Sequence, residues 1–206
     1  MKKNNKKQQQ ENKAIELFLT FFWVGKIRMC PGTFGSIATL PFWILINLIL
    51  VSIGIKNILI FVAFWLILIT TMFIYGVKIS NIYIKKNNKK EDPQEIVIDE
   101  VVGQLLTFLS AVVFGSYFML QNLDILEKQV DCGFCKTMSI IMITIIPIIM
   151  FRVFDIAKPW IIGYCDKNFH GGLGVMLDDL VAGLFASISL ALIYFVYYEY
   201  VIRYFG

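Results

Sequence analysis

Apolar residues along this chain come in long blocks. Five of them, Ile37–Ile53, Ile58–Val77, Val101–Leu120, Met138–Phe154 and Leu180–Val201, approach the roughly 20 residues that a helix needs to cross a bilayer. Pro41 and Pro147 fall inside two of the blocks. Kinks there are tolerable where neighbouring helices satisfy the freed backbone groups. A shorter apolar run, Leu17–Val24, follows a basic stretch, but no small-x-small cleavage site comes after it. It therefore reads as an amphipathic helix lying on the membrane rather than as a signal peptide. The expected fold is all-α, a polytopic membrane helical bundle of about five spans over 14–206, with a disordered basic arm over 1–13 before it.

Composition places the chain in the membrane class. Of its 206 residues 58% are hydrophobic and only 17% charged, and the mean hydropathy is +0.70, values that soluble domains of this length rarely reach. The net charge of +4 is modest, and much of it lies in the Lys-, Asn- and Gln-rich Met1–Lys13. That arm lacks interleaved aromatics, so no nucleic-acid partner is expected. Topology and anionic headgroups are the expected roles. With five spans and the N-terminus inside, 15 of the 19 Lys and Arg residues fall in the inner segments. This asymmetry predicts a cytoplasmic N-terminus, an outer C-terminus, and acidic motifs that all face the cytoplasm.

Three polar motifs interrupt the apolar blocks. Pro31-Gly32-Thr33-Phe34-Gly35-Ser36 precedes the first span. It reads either as a backbone cradle for phosphate, with Thr33 and Ser36 as hydroxyl donors, or as a tight turn with a Ser cap. Asp92-Pro93-Gln94-Glu95-Ile96-Val97-Ile98-Asp99-Glu100 runs straight into the third span. Acids beside a span are costly unless paired, solvated or metal-bound. A helix-capping role accounts for one of Asp99 and Glu100 more comfortably than for both, and Glu91, Asp92 and Glu95 read as solvated loop. In the third motif Arg152, Asp155 and Lys158 are three apart on one predicted helix face, so Asp155 could bridge the two cations. Asp166 follows, then His170-Gly171-Gly172-Leu173-Gly174, which reads as a mobile loop ending at Asp178-Asp179.

Six carboxylates thus face one side: Asp99, Glu100, Asp155, Asp166, Asp178 and Asp179, with Arg152 and Lys158 nearby. Hard oxygen donors suit Mg²⁺ together with substrate phosphate. One His and scattered cysteines do not suit zinc. Cys132-Gly-Phe-Cys135 lies in an outer loop, where it forms a local disulfide or nothing. Cys165 reads as a small apolar residue. His170 is a candidate acid or base, a headgroup contact or a solvated loop residue.

The motifs PGTFGS, DPQEIVIDEVVG, FRVFDIAKPW and HGGLGVMLDDLVAG, in this order and spacing, resemble the bacterial phosphatidylglycerophosphatase A family over about Gly25 to Phe185. The resemblance implies a Mg²⁺-dependent hydrolase of the inner membrane that converts phosphatidylglycerophosphate to phosphatidylglycerol, with that phospholipid and the surrounding membrane lipids as its partners. By motif it implies Asp99, Glu100, Asp155, Asp166, Asp178 and Asp179 as functional positions. Arg152 and Lys158, with Thr33, Ser36 and His170, would contact phosphate. Two departures stand out: Ile161 occupies a position where the family usually has Pro, and the family tends to have a Pro near Arg28.

On this reading Asp99, Glu100, Asp178 and Asp179 hold one or two Mg²⁺, while Asp155 or Asp166 orients the attacking water or itself attacks phosphorus. The alternative is a small cation transporter, which would want acids at mid-span rather than at span ends. A CDP-activated headgroup transferase would want Asp-Gly-x-x-Ala-Arg, which the chain lacks.

Overall fold

A computed structural model describes residues 2–87, 93–121 and 133–205. Glu91, Asp92 and Cys132 lie outside them. The described residues form seven α-helices: α1 (Lys2–Leu19), α2 (Pro31–Ser52), α3 (Ile58–Asn87), α4 (Ile98–Gln121), α5 (Gly133–Ala157), α6 (Ile161–Asn168) and α7 (Gly171–Phe205), with a 3₁₀ turn at Val24–Lys26 between α1 and α2. Five of these, α2, α3, α4, α5 and α7, are long and apolar enough to cross a membrane. They coincide with the five hydropathy blocks. Pro41 and Pro147 sit inside α2 and α5 without ending either helix.

The helix α4 occupies the centre. Val101, Val102, Leu105, Phe108 and Leu109 are buried along it, whereas α5 and α3 expose most of their span to the surroundings. Its main partner is α7, which runs parallel to it. The two approach closely because glycines face each other: a Cβ on Gly183 would stand 2.6 Å from the Gly103 carbonyl oxygen, and one on Gly103 2.5 Å from that of Asp179. Farther along, the Ser110 hydroxyl donates to Ser187 Oγ at 2.7 Å. Small residues and hydroxyl pairs are the usual means of holding helices together where water supplies no driving force. On the α2–α3 side, Trp43 stacks on Trp65 with ring centroids 4.1 Å apart, and the Trp65 indole N–H donates to Asn47 Oδ1 at 3.2 Å.

The helices reach further at one end of the bundle than the apolar blocks suggest, and parts of the polar motifs are helical as a result. Pro31–Ser36 forms the first turns of α2, with Pro31 at the start where its missing N–H costs nothing. Ser36 is not a cap: it is buried and its hydroxyl donates to the Gly32 carbonyl. Gly171, Gly172 and Gly174 are the opening turn of α7 rather than a mobile loop. Gly171 carries φ +67°, a Cβ on Gly172 would collide with the Val77 carbonyl, and the Gly172 N–H donates to Asn81 Oδ1 at 2.8 Å. Gly171 and Gly172 therefore let α7 dock on α3. Helix α1 includes the stretch expected to be a disordered arm, and Leu17–Val24 is divided between the end of α1 and a turn in which Phe21, Phe22 and Trp23 have positive φ. The Leu19 carbonyl accepts from the Val97 N–H at 3.0 Å. This contact ties α1 to the segment leading into α4, a long-range tie that local polarity does not reveal.

Candidate active site

The polar motifs meet in a cavity of about 700 Å³ at the end of the bundle where α2, α4 and α7 begin and α5 ends. All six predicted carboxylates line it, as do Arg152, Lys158, Thr33 and His170. Ser36 does not; its buried hydroxyl is already engaged. Among the described residues, the acids that line the cavity lie near helix ends, whereas the transporter alternative wants acids at mid-span.

The deepest part is built by the first turn of α4 and the third turn of α7. Asp99, Glu100 and Asp179 each offer an oxygen within 4.8 Å of the others. Asp99 and Asp179 are buried, at 7% and 4% exposure. The Asp99 carboxylate also accepts the Glu100 N–H at 3.0 Å. Glu100 lies against Gly32 of α2; a Cβ at Gly32 would fall on its Oε1 and approach Arg152 Nη1 to 3.2 Å. The glycine of the PGTFGS motif thus makes room for a carboxylate and a guanidinium.

The cations are arranged around this trio. Arg152, on the last turns of α5, holds Asp155 Oδ2 at 2.5 Å, and Asp155 in turn faces Glu100 and Asp179. Lys158 lies just beyond the end of α5, with φ +42°. Its ammonium donates to Asp166 Oδ1 at 2.5 Å and to Asp178 Oδ2 at 2.8 Å. Asp155 therefore does not bridge Arg152 and Lys158 as their spacing suggests: the chain turns left-handed at Lys158 and carries its side chain away towards α6 and α7. Partial burial opposes the charged form of Lys158, but its bonds to Asp166 and Asp178 outweigh this and raise its pKa above the ordinary lysine value.

Asp178 and Asp179 have separate tasks. Successive residues on a helix point about 100° apart, a consequence of 3.6 residues per turn. Asp179 accordingly joins Asp99 and Glu100, while Asp178 anchors Lys158. The predicted ligand set Asp99, Glu100, Asp178 and Asp179 thus resolves into a trio with Asp178 beside it.

Whether the trio suits a hard divalent cation can be judged from its unused atoms. Glu100 Oε2 is buried and has no hydrogen-bond partner. An unpartnered buried carboxylate oxygen is expensive unless something positive meets it. With three all-oxygen donors converging, the residues fit Mg²⁺. Arg152 Nε is likewise buried without an acceptor, a free N–H for an anion in the same cavity. Arg28, Gln94 and Cys30 also line the cavity although the sequence did not mark them as site residues: Gln94 sits among the acids of DPQEIVIDEVVG, and Arg28 and Cys30 lie just before PGTFGS.

No solved structure matches the chain. A phosphatidylglycerophosphatase A of Escherichia coli (strain K12) is 30% identical over 179 residues, covering 85% of this chain and 78% of the relative. A phosphatidylglycerophosphatase A of Haemophilus influenzae is 30% identical over 179 residues, covering 84% of this chain and 85% of the relative. The family model described as Phosphatidylglycerophosphatase A matches residues 17–194, a stretch that includes every residue of the cavity described above, and the chain belongs to that family.

Proposed function

We propose that this protein hydrolyses the terminal phosphomonoester of phosphatidylglycerophosphate to give phosphatidylglycerol, with Mg²⁺, at the cytoplasmic leaflet of the bacterial inner membrane. The observation that carries this reading is the meeting of the Asp99–Glu100–Asp179 trio with Arg152 and Lys158 in one cavity at one end of a membrane bundle. Carboxylates that can hold a divalent cation, beside two cations that can face phosphate oxygens, form a set suited to phosphoryl transfer.

Asp99, Glu100 and Asp179 would hold Mg²⁺, which when bound supplies charge neutralisation at phosphate oxygens. The free N–H of Arg152 and the ammonium of Lys158 orient the phosphomonoester and offset its charge. Asp178 and Asp166 keep Lys158 pointed into the cavity, and Arg152 does the same for Asp155. Water attacks phosphorus, the bond from phosphorus to the headgroup oxygen breaks, and the leaving alkoxide takes a proton. Asp155 stands beside the trio and is suited to orienting the water. Attack by a carboxylate on phosphorus, followed by hydrolysis of the aspartyl-phosphate, is the other route. Rapid quench with ³²P-labelled substrate separates them, since label on protein supports the covalent route.

The direct test is phosphate release from phosphatidylglycerophosphate by purified protein. Activity lost to EDTA and restored by Mg²⁺ is expected, and EDTA-resistant activity would remove the metal from the proposal. The leaflet is tested through Cys30, which is exposed at the cavity. With Cys132 and Cys135 replaced by Ser, a membrane-impermeant maleimide should label Cys30 in inverted vesicles and not in intact cells.

A further inference from the structure

Beside the acidic cavity lies a second one of about 580 Å³, and Arg28, Pro31 and Gln94 border both. The other cations of the two cavities are engaged. Arg152 holds Asp155, and Lys158 holds Asp166 and Asp178. Lys26 pairs with Glu16 at 2.5 Å, and the Lys86 ammonium donates to Asn12 Oδ1 at 2.5 Å. Among the described residues, Arg28 is the cation of these walls whose side chain has neither ion pair nor hydrogen bond.

The surroundings of Arg28 are apolar and open. Phe22, Trp23, Ile27 and Met29 are exposed, Met29 by 76%, on the short connection from α1 to α2 at the same end of the bundle as the cavity. Large apolar side chains at the end of a membrane bundle belong at the boundary between headgroups and acyl chains, with an interleaved Arg at phosphate depth.

We propose that Arg28 determines specificity by binding the non-reacting phosphodiester of the substrate lipid while that lipid's phosphomonoester occupies the acidic cavity. The inference rests on the function proposed above. A lipid with both groups carries one at the end of its headgroup and the other next to the acyl chains, separated by glycerol. The first reaches the buried trio and the second stays at the membrane surface, at the rim where Arg28 is uncommitted. A guanidinium fork suits a phosphodiester, which offers two equivalent oxygens.

The test is phosphate release from phosphatidylglycerophosphate in neutral detergent micelles free of other anionic lipid. Arg28→Gln should raise KM about tenfold, as expected for loss of one charge-assisted contact, while kcat changes less than about twofold. Arg28→Lys should recover most of the loss. Inhibition by the product phosphatidylglycerol, which retains the phosphodiester, should weaken in parallel. An unchanged KM in Arg28→Gln, or a fall in kcat at constant KM, overturns the assignment. So does a KM shift seen only in vesicles of anionic lipid, which would make Arg28 a contact to bulk headgroups. Wild-type protein inactive on this lipid would instead overturn the substrate reading itself.

Discussion

Glu100 fits beside Gly32 because Gly32 has no side chain: a Cβ there would fall on Glu100 Oε1. The first turn of α2 therefore sets where the carboxylate of α4 stands, although the two residues are far apart in sequence. Gly32→Ala should lower kcat/KM by at least about tenfold, because small displacements in a phosphoryl-transfer site are costly. Far-UV circular dichroism should remain that of the wild type. Wild-type kinetics in Gly32→Ala would show that Glu100 moves aside without consequence.

Asp99 and Asp179 should differ from Asp178 in what their loss does. Asp179→Asn or Asp99→Asn removes a trio oxygen's charge, so divalent affinity should fall and turnover should drop more than about a hundredfold. Asp178→Asn loosens Lys158 instead, leaving divalent affinity near the wild-type value while KM rises. Calorimetric titration with Mn²⁺ alongside steady-state kinetics reads both quantities. Equal loss of Mn²⁺ binding in all three variants would return Asp178 to the ligand set.

Lys158 should stay charged across the working range. Its pKa is raised above the ordinary lysine value of about 10.4. The stabilisation from its ion pairs is therefore fully present below that pH and is lost only as pH rises past the raised value. Any alkaline fall in activity below about pH 10 must come from another group. Lys158→Met should depress activity at every pH without moving the alkaline limb. A limb that disappears in this variant would contradict the assignment.

The parallel crossing of α4 and α7 should tolerate little bulk. Gly183→Leu forces apart backbones that approach at Gly103, and overpacking of this kind costs roughly 1–3 kcal/mol. The thermal midpoint in detergent should fall by several degrees, and activity should fall with it because Gly103 adjoins Asp179. An unshifted midpoint would mean that the helices separate there freely.

The spans were legible because hydropathy over about 20 residues is a bulk signal that neighbours cannot mask. The carboxylates were legible because charge at a span end demands a reason. What each charge does was hidden, since partner choice depends on helix phase and on turns outside it. Asp178 and Asp179 look alike in sequence, and only the twist of α7 separates them. Lys158 shares the spacing of Arg152 and Asp155, yet the left-handed turn at its own position takes it elsewhere. Glycines were the hardest to read. Gly171, Gly172 and Gly174 suggest looseness, but Gly171 and Gly172 permit α7 to touch α3, and Gly174 packs against the Phe169 backbone. Ser36 resembles a donor for phosphate, but α2 begins early enough to turn its hydroxyl onto Gly32.

Because Asp178 and Asp179 are consecutive on one unbroken helix, the anchor of Lys158 and a corner of the carboxylate trio cannot shift independently. Any tilt of α7 displaces both. On the proposed function, occupancy of the trio by a divalent cation and capture of the phosphomonoester would be thermodynamically linked, each changing the other's affinity by the same factor. The lipid's affinity should depend on divalent concentration even before any bond is broken, and the bundle would sense its two ligands as one cooperative event.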